Sequence, residues 1–332
     1  MKLMEAAPPI SKKGVSQAGT QVRFAGLSDT GKVRSINQDS FFVDFLAEKG
    51  LMAMVADGMG GHKNGEIASR MAVDAVTESF KQEKLLAPMA IAKAVHLANK
   101  SIYDYAVKLT GRQGMGTTLT LLYIDDQVGL VGHIGDSRAY LIRQTHIKQI
   151  SHDHSWVADR VRQGVLTEFE ARHHHWRNVI TNALGTTEEV KLDLSHITLK
   201  DNDRLLLCSD GISTLFNDEE LKHIASHFEP EEAVKRLIDG ANERGSPDNA
   251  TAIVLHIERI VHCPKPYGLP REGTEPKSLK ISENHDGLSE LEESFPASGF
   301  MMQLRSQAWY PFRFWLLGCF SLLLLFLFFS FR

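Results

Sequence analysis

The sequence is poor in cysteine and carries no excess of positive charge, and each absence excludes a class of protein. Its three cysteines, Cys208, Cys263 and Cys319, share no spacing, so they form neither a disulfide framework nor a zinc-ligand set. We expect the soluble part of the chain to occupy a reducing compartment. The formal net charge of −4, without a basic stripe, argues against a nucleic-acid partner. Residues 1–14 lack the apolar core of a signal peptide, so we expect no export signal there.

The composition is that of a folded protein over most of the chain and changes towards the C-terminus. A hydrophobic fraction of 43% and a charged fraction of 23% are typical of a globular domain. Five of the eleven prolines fall between residues 261 and 308, where the apolar periodicity is lost, which predicts a flexible linker. The predicted organisation is a flexible N-terminus over residues 1–18, a folded domain over 19–260, a linker over 261–308 and a membrane anchor over 309–332.

The last of these segments holds the longest apolar run. Phe314–Phe331 contains eighteen residues without a charge, which is the length that a transmembrane helix needs. The aromatic residues among 309–312, with Arg305 and Arg313, are typical of the membrane–water interface. We therefore expect a single-pass C-terminal anchor in the inner (cytoplasmic) membrane, with the folded domain in the cytoplasm.

Short apolar segments and two pairs of amphipathic helices alternate along the folded domain. Apolar residues recur at helical spacing over Ile67–Phe80 and again over Ile91–Leu109, with no strand between them, which argues against a βαβ repeat. A second pair of helices begins near Asp218 and Pro230. Strand-rich halves separated by helix pairs predict a sandwich of sheets covered by helices.

Three of the apolar segments end on an aspartate. One reads LMAMVA and ends at Asp57; the other two end at Asp136 and Asp210. Apolar runs that are too short for a helix and that end on turn residues predict buried strands. Gly58 has no side chain, so its carbonyl can lie beside whatever the Asp57 carboxylate binds. A single Asp-Gly after a strand is usually an ordinary turn, whereas three acid-terminated strands in one domain indicate a polynuclear metal site.

Asp39 and Asp248 also flank predicted strands, which brings the number of such acids to five. Carboxylates that are held close together repel one another and need cations between them. Oxygen ligands without a Cys/His set favour Mg²⁺ or Mn²⁺ over zinc. Two such ions, about 3.5–4 Å apart, would lower the pKa of a water and place it in line with a phosphate. Arg34, in the loop before Asp39, has the fork of donors that binds two phosphate oxygens.

Together these residues resemble the metal-dependent protein phosphatase family, in its bacterial type 2C form. No single motif is specific to this family. Six motifs in this order, between about residues 20 and 258, are specific to it. The motifs are Val33–Asp39, Val55–His62, Gly114–Thr118, Gly135–Arg138, Ser209–Gly211 and Asp248-Asn249. The resemblance implies an α+β fold, a four-layer α-β-β-α sandwich of two mainly antiparallel sheets flanked by helix pairs. It also implies hydrolysis of phosphoserine and phosphothreonine in protein substrates, opposing a bacterial Ser/Thr kinase.

The resemblance implies a dinuclear Mn²⁺ or Mg²⁺ centre between the sheets. The residues that match the family's metal ligands are Asp39, Asp57, Gly58, Asp136, Asp210 and Asp248. In the family pattern Asp57 bridges both ions, and the Gly58 carbonyl binds one of them. Asp210 and Asp248 would hold the first ion, and Asp39 would act on the second.

Three further roles follow from the same resemblance. Asp136 matches a position that, with Asp210, holds a third ion in bacterial relatives. Arg34 would bind the substrate phosphate, so that Arg34 and Asp57 are the predicted catalytic residues. Residues 156–182 fall where the family carries a variable flap over the site.

The general acid is not assigned by these motifs. The eukaryotic branch has a histidine two residues after the bridging aspartate, where this chain has Met59. His62 is close in sequence and is a weak candidate, since a histidine at a helix entry is more often an ordinary surface residue. The consecutive histidines 173–175 cannot all face one ion, so we expect a solvated run, and we expect the same of His152 and His154.

Two alternatives stay open beside the phosphatase. One is a catalytically weak relative that serves as a phosphoprotein-binding scaffold at the membrane; the presence of all five acids and of Arg34 favours the enzyme. The other is a phosphatase-like domain acting on a different phosphoester, which the flap sequence does not exclude.

Overall fold

A computed structural model describes residues 8–16, 19–61, 64–109, 114–261 and 277–281. All of them belong to one unit of the chain, Met1–Cys263 with Arg271–Ser289. Thirteen strands occur in this part: β1 (Ile10–Val15), β2 (Gln21–Asp29), β3 (Asp39–Phe45), β4 (Leu51–Met59), β5 (Gly116–Thr117), β6 (Leu119–Ile124), β7 (Val128–Ile134), β8 (Arg138–Arg143), β9 (His146–Gln149), β10 (Val190–Thr198), β11 (Arg204–Cys208), β12 (Ala250–Arg259) and β13 (Lys277–Ile281).

The strands form two sheets in which every pair of neighbours is antiparallel. The first sheet has the order β1-β2-β12-β11-β8-β9, and the second has the order β13-β10-β7-β6-β4-β3, with β5 beside β4. Alternate side chains of each sheet face the other sheet, because side chains alternate between the two faces of a strand. Phe24, Leu207 and Leu255 of the first sheet pack in one apolar cluster with Val55 and Leu122 of the second.

Seven α-helices are present among the described residues. They are α1 (Asn64–Gln82), α2 (Ala87–Asp104), α3 (Trp156–Arg162), α4 (Glu168–His173), α5 (Asp210–Ser213), α6 (Asp218–His227) and α7 (Pro230–Glu243). Helices α1 and α2 contact each other and the second sheet, whereas α6 and α7 pack on the outer face of the first. The layers are therefore helix pair, sheet, sheet and helix pair, which confirms the α+β sandwich.

Local periodicity predicted these elements well. The apolar stripe over residues 67–80 lies within α1, and Ala68, Ala72, Val76 and Phe80 are buried. The apolar run that ends at Asp57 lies in β4, which pairs with β3. Helix α1 buries the face on which its apolar residues recur, whereas the apolar run of β4 is buried on both faces of the strand.

The predictions of a flexible N-terminus and linker are wrong at two strands. Strand β1 lies within residues 1–18 and pairs with β2, although most of its side chains are exposed. Strand β13 lies within residues 261–308 and pairs with β10, and its Leu279 and Ile281 are fully buried. Both are edge strands held by backbone pairing, β1 to the adjacent strand β2 and β13 to β10, which is distant in sequence. Backbone pairing of this kind leaves little periodic signal in the sequence.

The predicted anchor, residues 309–332, lies outside the described residues. Among those that are described, no helix is both long and apolar enough to cross a membrane.

Candidate active site

The predicted acids converge at one end of the two packed sheets. Asp39 is the first residue of β3 and lies directly opposite Asp57 of β4 in the antiparallel register. In the first sheet, Asp210 follows β11 and Asp248 precedes β12, its antiparallel neighbour, so these two acids meet at the same end. Asp136 lies in the turn from β7 to β8, where the chain passes from the second sheet to the first.

Hydroxyl groups of the first sheet hold the Asp39 carboxylate in place. Ser209 Oγ donates to Asp39 Oδ2 at 2.8 Å, and Thr251 Oγ1 donates to the same oxygen at 2.6 Å. Asp57 is positioned through its backbone, since its N–H donates to Thr118 Oγ1 at 2.8 Å and its carbonyl accepts from the Thr118 N–H at 2.9 Å. The bonds to Asp39 join the two sheets, so packing of the sandwich sets the position of this acid relative to the first sheet.

The loop that carries Arg34 is clamped by Asn249. The Asn249 side chain donates to the carbonyls of Thr30 and Ile36, at 2.9 and 3.0 Å, and accepts from the Gln38 N–H at 2.9 Å. Arg34 itself is exposed, and its Nη2 lies 2.9 Å from Asp248 Oδ2. The predicted phosphate-binding arginine is thus held at the acid cluster by one of the predicted metal ligands.

Burial and mutual repulsion make these acids poor anions in the absence of cations. Burial raises the pKa of Asp39 to about 7, against the hydrogen bonds from Thr251 and Ser209. Burial, together with the charge of Asp248, raises the pKa of Asp210 to about 6. The pKa values of Asp57 and Asp136 are also raised, first by burial and then by neighbouring aspartates. Each carboxylate would return towards its ordinary pKa if cations neutralised the cluster.

The donor set fits hard divalent cations. Asp39 Oδ1, Asp136 Oδ1 and Asp210 Oδ1 are buried and have no hydrogen-bond partner among the described residues. Buried carboxylate oxygens of this kind need a cation or a water, because an unsatisfied buried acceptor is costly. No three His, Cys, Asp or Glu side chains of the described ranges surround a single point as metal ligands do. Two of the acids have other partners: Asp39 accepts hydrogen bonds from two hydroxyl groups, and Asp248 forms an ion pair with Arg34.

The structure brings Arg34 and all five acids together. The histidines singled out in the sequence differ in their exposure and in their contacts. His62 lies outside the described residues. His173 and His175 are exposed, and His174 stacks on Trp156 with ring centroids 4.9 Å apart. The expectation that His154 is solvated is wrong: it is 5% exposed and contacts the turn that carries Asp136. Its burial follows from contacts to two strands of the second sheet, which local sequence does not reveal.

Sequence reasoning missed the polar residues that orient the acids. Ser209, Thr251, Thr118 and Asn249 bind no predicted ion, yet each fixes an acid or the arginine loop. Ser209 and Asn249 adjoin Asp210 and Asp248 in the sequence, so a search for hydroxyl and amide side chains next to the acids would have found them. Thr251 is also close to Asp248, but its bond to Asp39 depends on the packing of the two sheets.

The raised pKa values predict a stability that depends on pH in the absence of metal. An aspartate whose folded pKa lies above its unfolded value stabilises the fold at low pH, and this contribution is lost as the pH rises through the folded pKa. For Asp39 the window runs from about 4 to about 7. We expect the stability of Asp39→Asn, which mimics the protonated acid, to come closest to that of the parent protein at pH 4 in EDTA, the lower end of this window. At pH 8 we expect it to be more stable by about 1–4 kcal/mol.

Urea unfolding at both pH values measures this difference. Asp74→Asn, at an exposed position of α1, is the control and should show no such dependence. A difference between Asp39→Asn and the parent that is the same at pH 4 and pH 8 would contradict the prediction.

The fold and the site define a class of protein. Two packed antiparallel sheets with outer helix pairs, a buried carboxylate cluster and an adjacent arginine are the arrangement of a metal-dependent phosphoester hydrolase. Residues 31–244 match the family model described as "Protein phosphatase 2C". The chain belongs to the protein phosphatase 2C family.

Individual relatives agree with this assignment. The serine/threonine phosphatase stp of Listeria innocua is 33% identical over 238 residues, which cover 70% of this chain and 94% of that protein. The serine/threonine protein phosphatase PstP of Mycobacterium tuberculosis is 39% identical over 240 residues, which cover 71% of this chain and 45% of that protein. The crystal structure of the PstP catalytic domain in complex with two manganese ions superposes with a TM-score of 0.64 at 34% identity. It covers 72% of this chain and 99% of that one.

These similarities confirm the predicted family and enzyme class, a serine/threonine protein phosphatase. They favour the enzyme over the phosphoprotein-binding scaffold, because the relatives that cover the folded domain are phosphatases.

Proposed function

We propose that this chain hydrolyses phosphoserine and phosphothreonine in proteins with two Mn²⁺ or Mg²⁺ ions held by its strand-end acids. The observation that carries the proposal is the cluster of buried carboxylates in which three oxygens lack a hydrogen-bond partner among the described residues. The manganese ions in the related PstP structure support the choice of metal. The proposed ligands are Asp39, Asp57, the Gly58 carbonyl, Asp210 and Asp248, with Asp136 and Asp210 for a third ion.

Some of the chain's residues would position the metal-binding acids, and Arg34 would supply positive charge for the substrate phosphate. When bound, the two ions supply a water of lowered pKa as the nucleophile. Ser209 and Thr251 hold the Asp39 carboxylate, and Thr118 holds the Asp57 backbone, so that these acids face the cluster without rearrangement. Arg34 is exposed and already lies at the cluster, where its guanidinium can leave Asp248 for two oxygens of a substrate phosphate.

The test is phosphate release from a phosphothreonine peptide by the purified 332-residue chain. We expect release that requires Mn²⁺ or Mg²⁺ and that stops when EDTA is added. A folded chain that binds Mn²⁺ but releases no phosphate would exclude the enzyme and favour the scaffold.

We further propose that the enzyme is anchored in the inner membrane and opposes a Ser/Thr kinase there. The uncharged run of residues 314–331, with its flanking aromatic and arginine residues, supports the anchor. A kinase is implied by the chemistry of the substrates, because phosphoserine and phosphothreonine are made by transfer of a phosphoryl group to a hydroxyl. The residues between β13 and the anchor, 282–308, would confine the catalytic domain to a zone near the membrane.

Fractionation of cells that express the chain tests the anchor. We expect the full chain to stay with membranes through a high-salt wash, which removes proteins bound only by charge, and a variant without residues 309–332 to become soluble. Equal distribution of the two proteins would exclude the anchor.

A further inference from the structure

His154 lies at the junction of three parts of the molecule. It follows the β9 strand at the start of the flap, which returns to the domain at Thr181 and Asn182. The His154 N–H donates to the Gly135 carbonyl at 2.7 Å, and the Thr181 N–H donates to the His154 carbonyl at 2.8 Å. Its backbone therefore ties the turn that carries Asp136 to both ends of the flap.

The imidazole of His154 also contacts the Asp136 turn and the end of the flap, through its Nδ1. Nδ1 accepts from the Gly135 N–H at 3.2 Å and lies 2.9 Å from Asn182 Nδ2. A backbone N–H can only donate, so Nδ1 is unprotonated and the ring proton of the neutral form is on Nε2. Nε2 lies 3.1 Å from Asp193 Oδ2 in a contact bent from the hydrogen-bond axis, so its attraction is mainly electrostatic.

Asp193 links this histidine to the last strand of the second sheet. It lies opposite His133 on one side and opposite Ser278 on the other in the antiparallel register. Ser278 Oγ donates to Asp193 Oδ1. Although burial opposes it, the His154 imidazole and the Ser278 hydroxyl lower the pKa of Asp193, which keeps the carboxylate charged towards the imidazole.

We propose that His154 and Asp193 are positioning residues, which hold the Asp136 turn against both ends of the flap and which Ser278 couples to β13. Neither residue touches the acids, and both act through the backbone of Gly135, next to Asp136. The carboxylate orients the ring so that Nδ1 faces Gly135 and Asn182. Docking of β13, whose Leu279 and Ile281 are buried, completes the network from the segment that follows the catalytic domain.

Two substitutions of His154 separate the two ends of the ring. In His154→Asn the side-chain oxygen stands where Nδ1 does, and the contact to Asp193 is lost. In His154→Gln the amide reaches towards Asp193, and no acceptor is left for Gly135 and Asn182. A role that is only space-filling would favour Gln, the larger residue, whereas the proposal favours Asn.

The measurement is hydrogen exchange of the metal-free full chain, combined with Mn²⁺ titration. We expect the backbone amides of residues 134–137 and 180–184 to exchange about tenfold faster in His154→Gln than in the parent. We also expect this variant to bind the Mn²⁺ ion proposed for Asp136 and Asp210 about tenfold less tightly, as loss of a group that supports a metal ligand does. His154→Asn should stay within about twofold to threefold of the parent in both measurements, because the Nδ1 acceptor is kept. Equal behaviour of the two variants, or an unchanged Gln variant, overturns the proposal.

Variants of β13 provide a test that does not alter the flap. Ser278→Ala should speed exchange at residues 180–184, whereas Lys280→Ala, on the same strand but outside the network, should not. Equal exchange in these two variants overturns the coupling to β13. The Mn²⁺ titration rests on the proposed function, but the hydrogen-exchange measurement on the metal-free chain does not. Failure of the parent to release phosphate would therefore refute the phosphatase while leaving the positioning result to stand or fall by itself.

Discussion

Asp210→Asn is expected to abolish most phosphate release from a phosphothreonine peptide while leaving the fold intact. Asp210 follows β11 at the acid cluster, and its Oδ1 is buried without a hydrogen-bond partner among the described residues. An amide supplies one neutral oxygen in place of a charged carboxylate, so it holds a divalent cation poorly. Loss of a residue that merely supports a ligand costs about 10- to 100-fold, so loss of the ligand should cost at least about 100-fold.

Stability distinguishes this loss from unfolding. Removing one buried charge lowers the repulsion within the cluster, so Asp210→Asn should be at least as stable as the parent in EDTA at pH 8. Mn²⁺ should raise the melting temperature of the parent more than that of the variant, because a ligand stabilises the state that binds it. Asp74→Asn is the control and should keep full activity. Activity of the Asp210 variant within about tenfold of the parent would remove Asp210 from the proposed metal ligands.

Gly58→Ala is expected to have the largest effect on stability. A Cβ at this position would lie 2.0 Å from the Gly65 carbonyl oxygen and 2.6 Å from the Gln38 carbonyl oxygen. Both atoms are backbone, so relief requires the start of α1 to move away from β4. We expect a loss of about 2–4 kcal/mol in the free energy of unfolding, since overpacking against atoms that cannot rotate away is costly.

Gly132→Ala is the matched control for this substitution. Gly132 is also a buried strand glycine, but its added Cβ would be 3.4 Å from Ile91 Cγ2, an ordinary contact. Urea unfolding in EDTA measures both variants, and Gly132→Ala should change the free energy of unfolding by less than about 1 kcal/mol. If Gly58→Ala lost no more stability than Gly132→Ala, the close packing of β4 against α1 would be disproved.

Gly58 also bears on the metal site. Its N–H donates to the Gln38 carbonyl at 3.1 Å, and Gln38 precedes Asp39. Movement of α1 away from β4 would therefore disturb the backbone next to two of the proposed ligands. The same variant should bind Mn²⁺ more weakly even under conditions where it stays folded.

The sequence by itself determined the elements and the chemistry of the site. Apolar runs that end at Asp57, Asp136 and Asp210 predicted both the buried strands and the acids at their ends. Helical spacing over residues 67–80 predicted α1. These signals are local, because a buried strand or an amphipathic helix repeats its pattern within a few residues. The identity of the side chains then limited the metal to one that prefers oxygen ligands.

The tertiary structure decided how those residues are held. The hydroxyls of Ser209 and Thr251 reach Asp39 only because the two sheets pack face to face, and a contact between sheets has no period along the chain. His154 is buried by the β7–β8 turn and by Asp193, which are distant from it in sequence. Strand β13 docks by backbone pairing and two buried side chains, Leu279 and Ile281, within a stretch whose prolines indicate a linker. Contacts of this kind depend on which elements become neighbours, and only the assembled sandwich determines that.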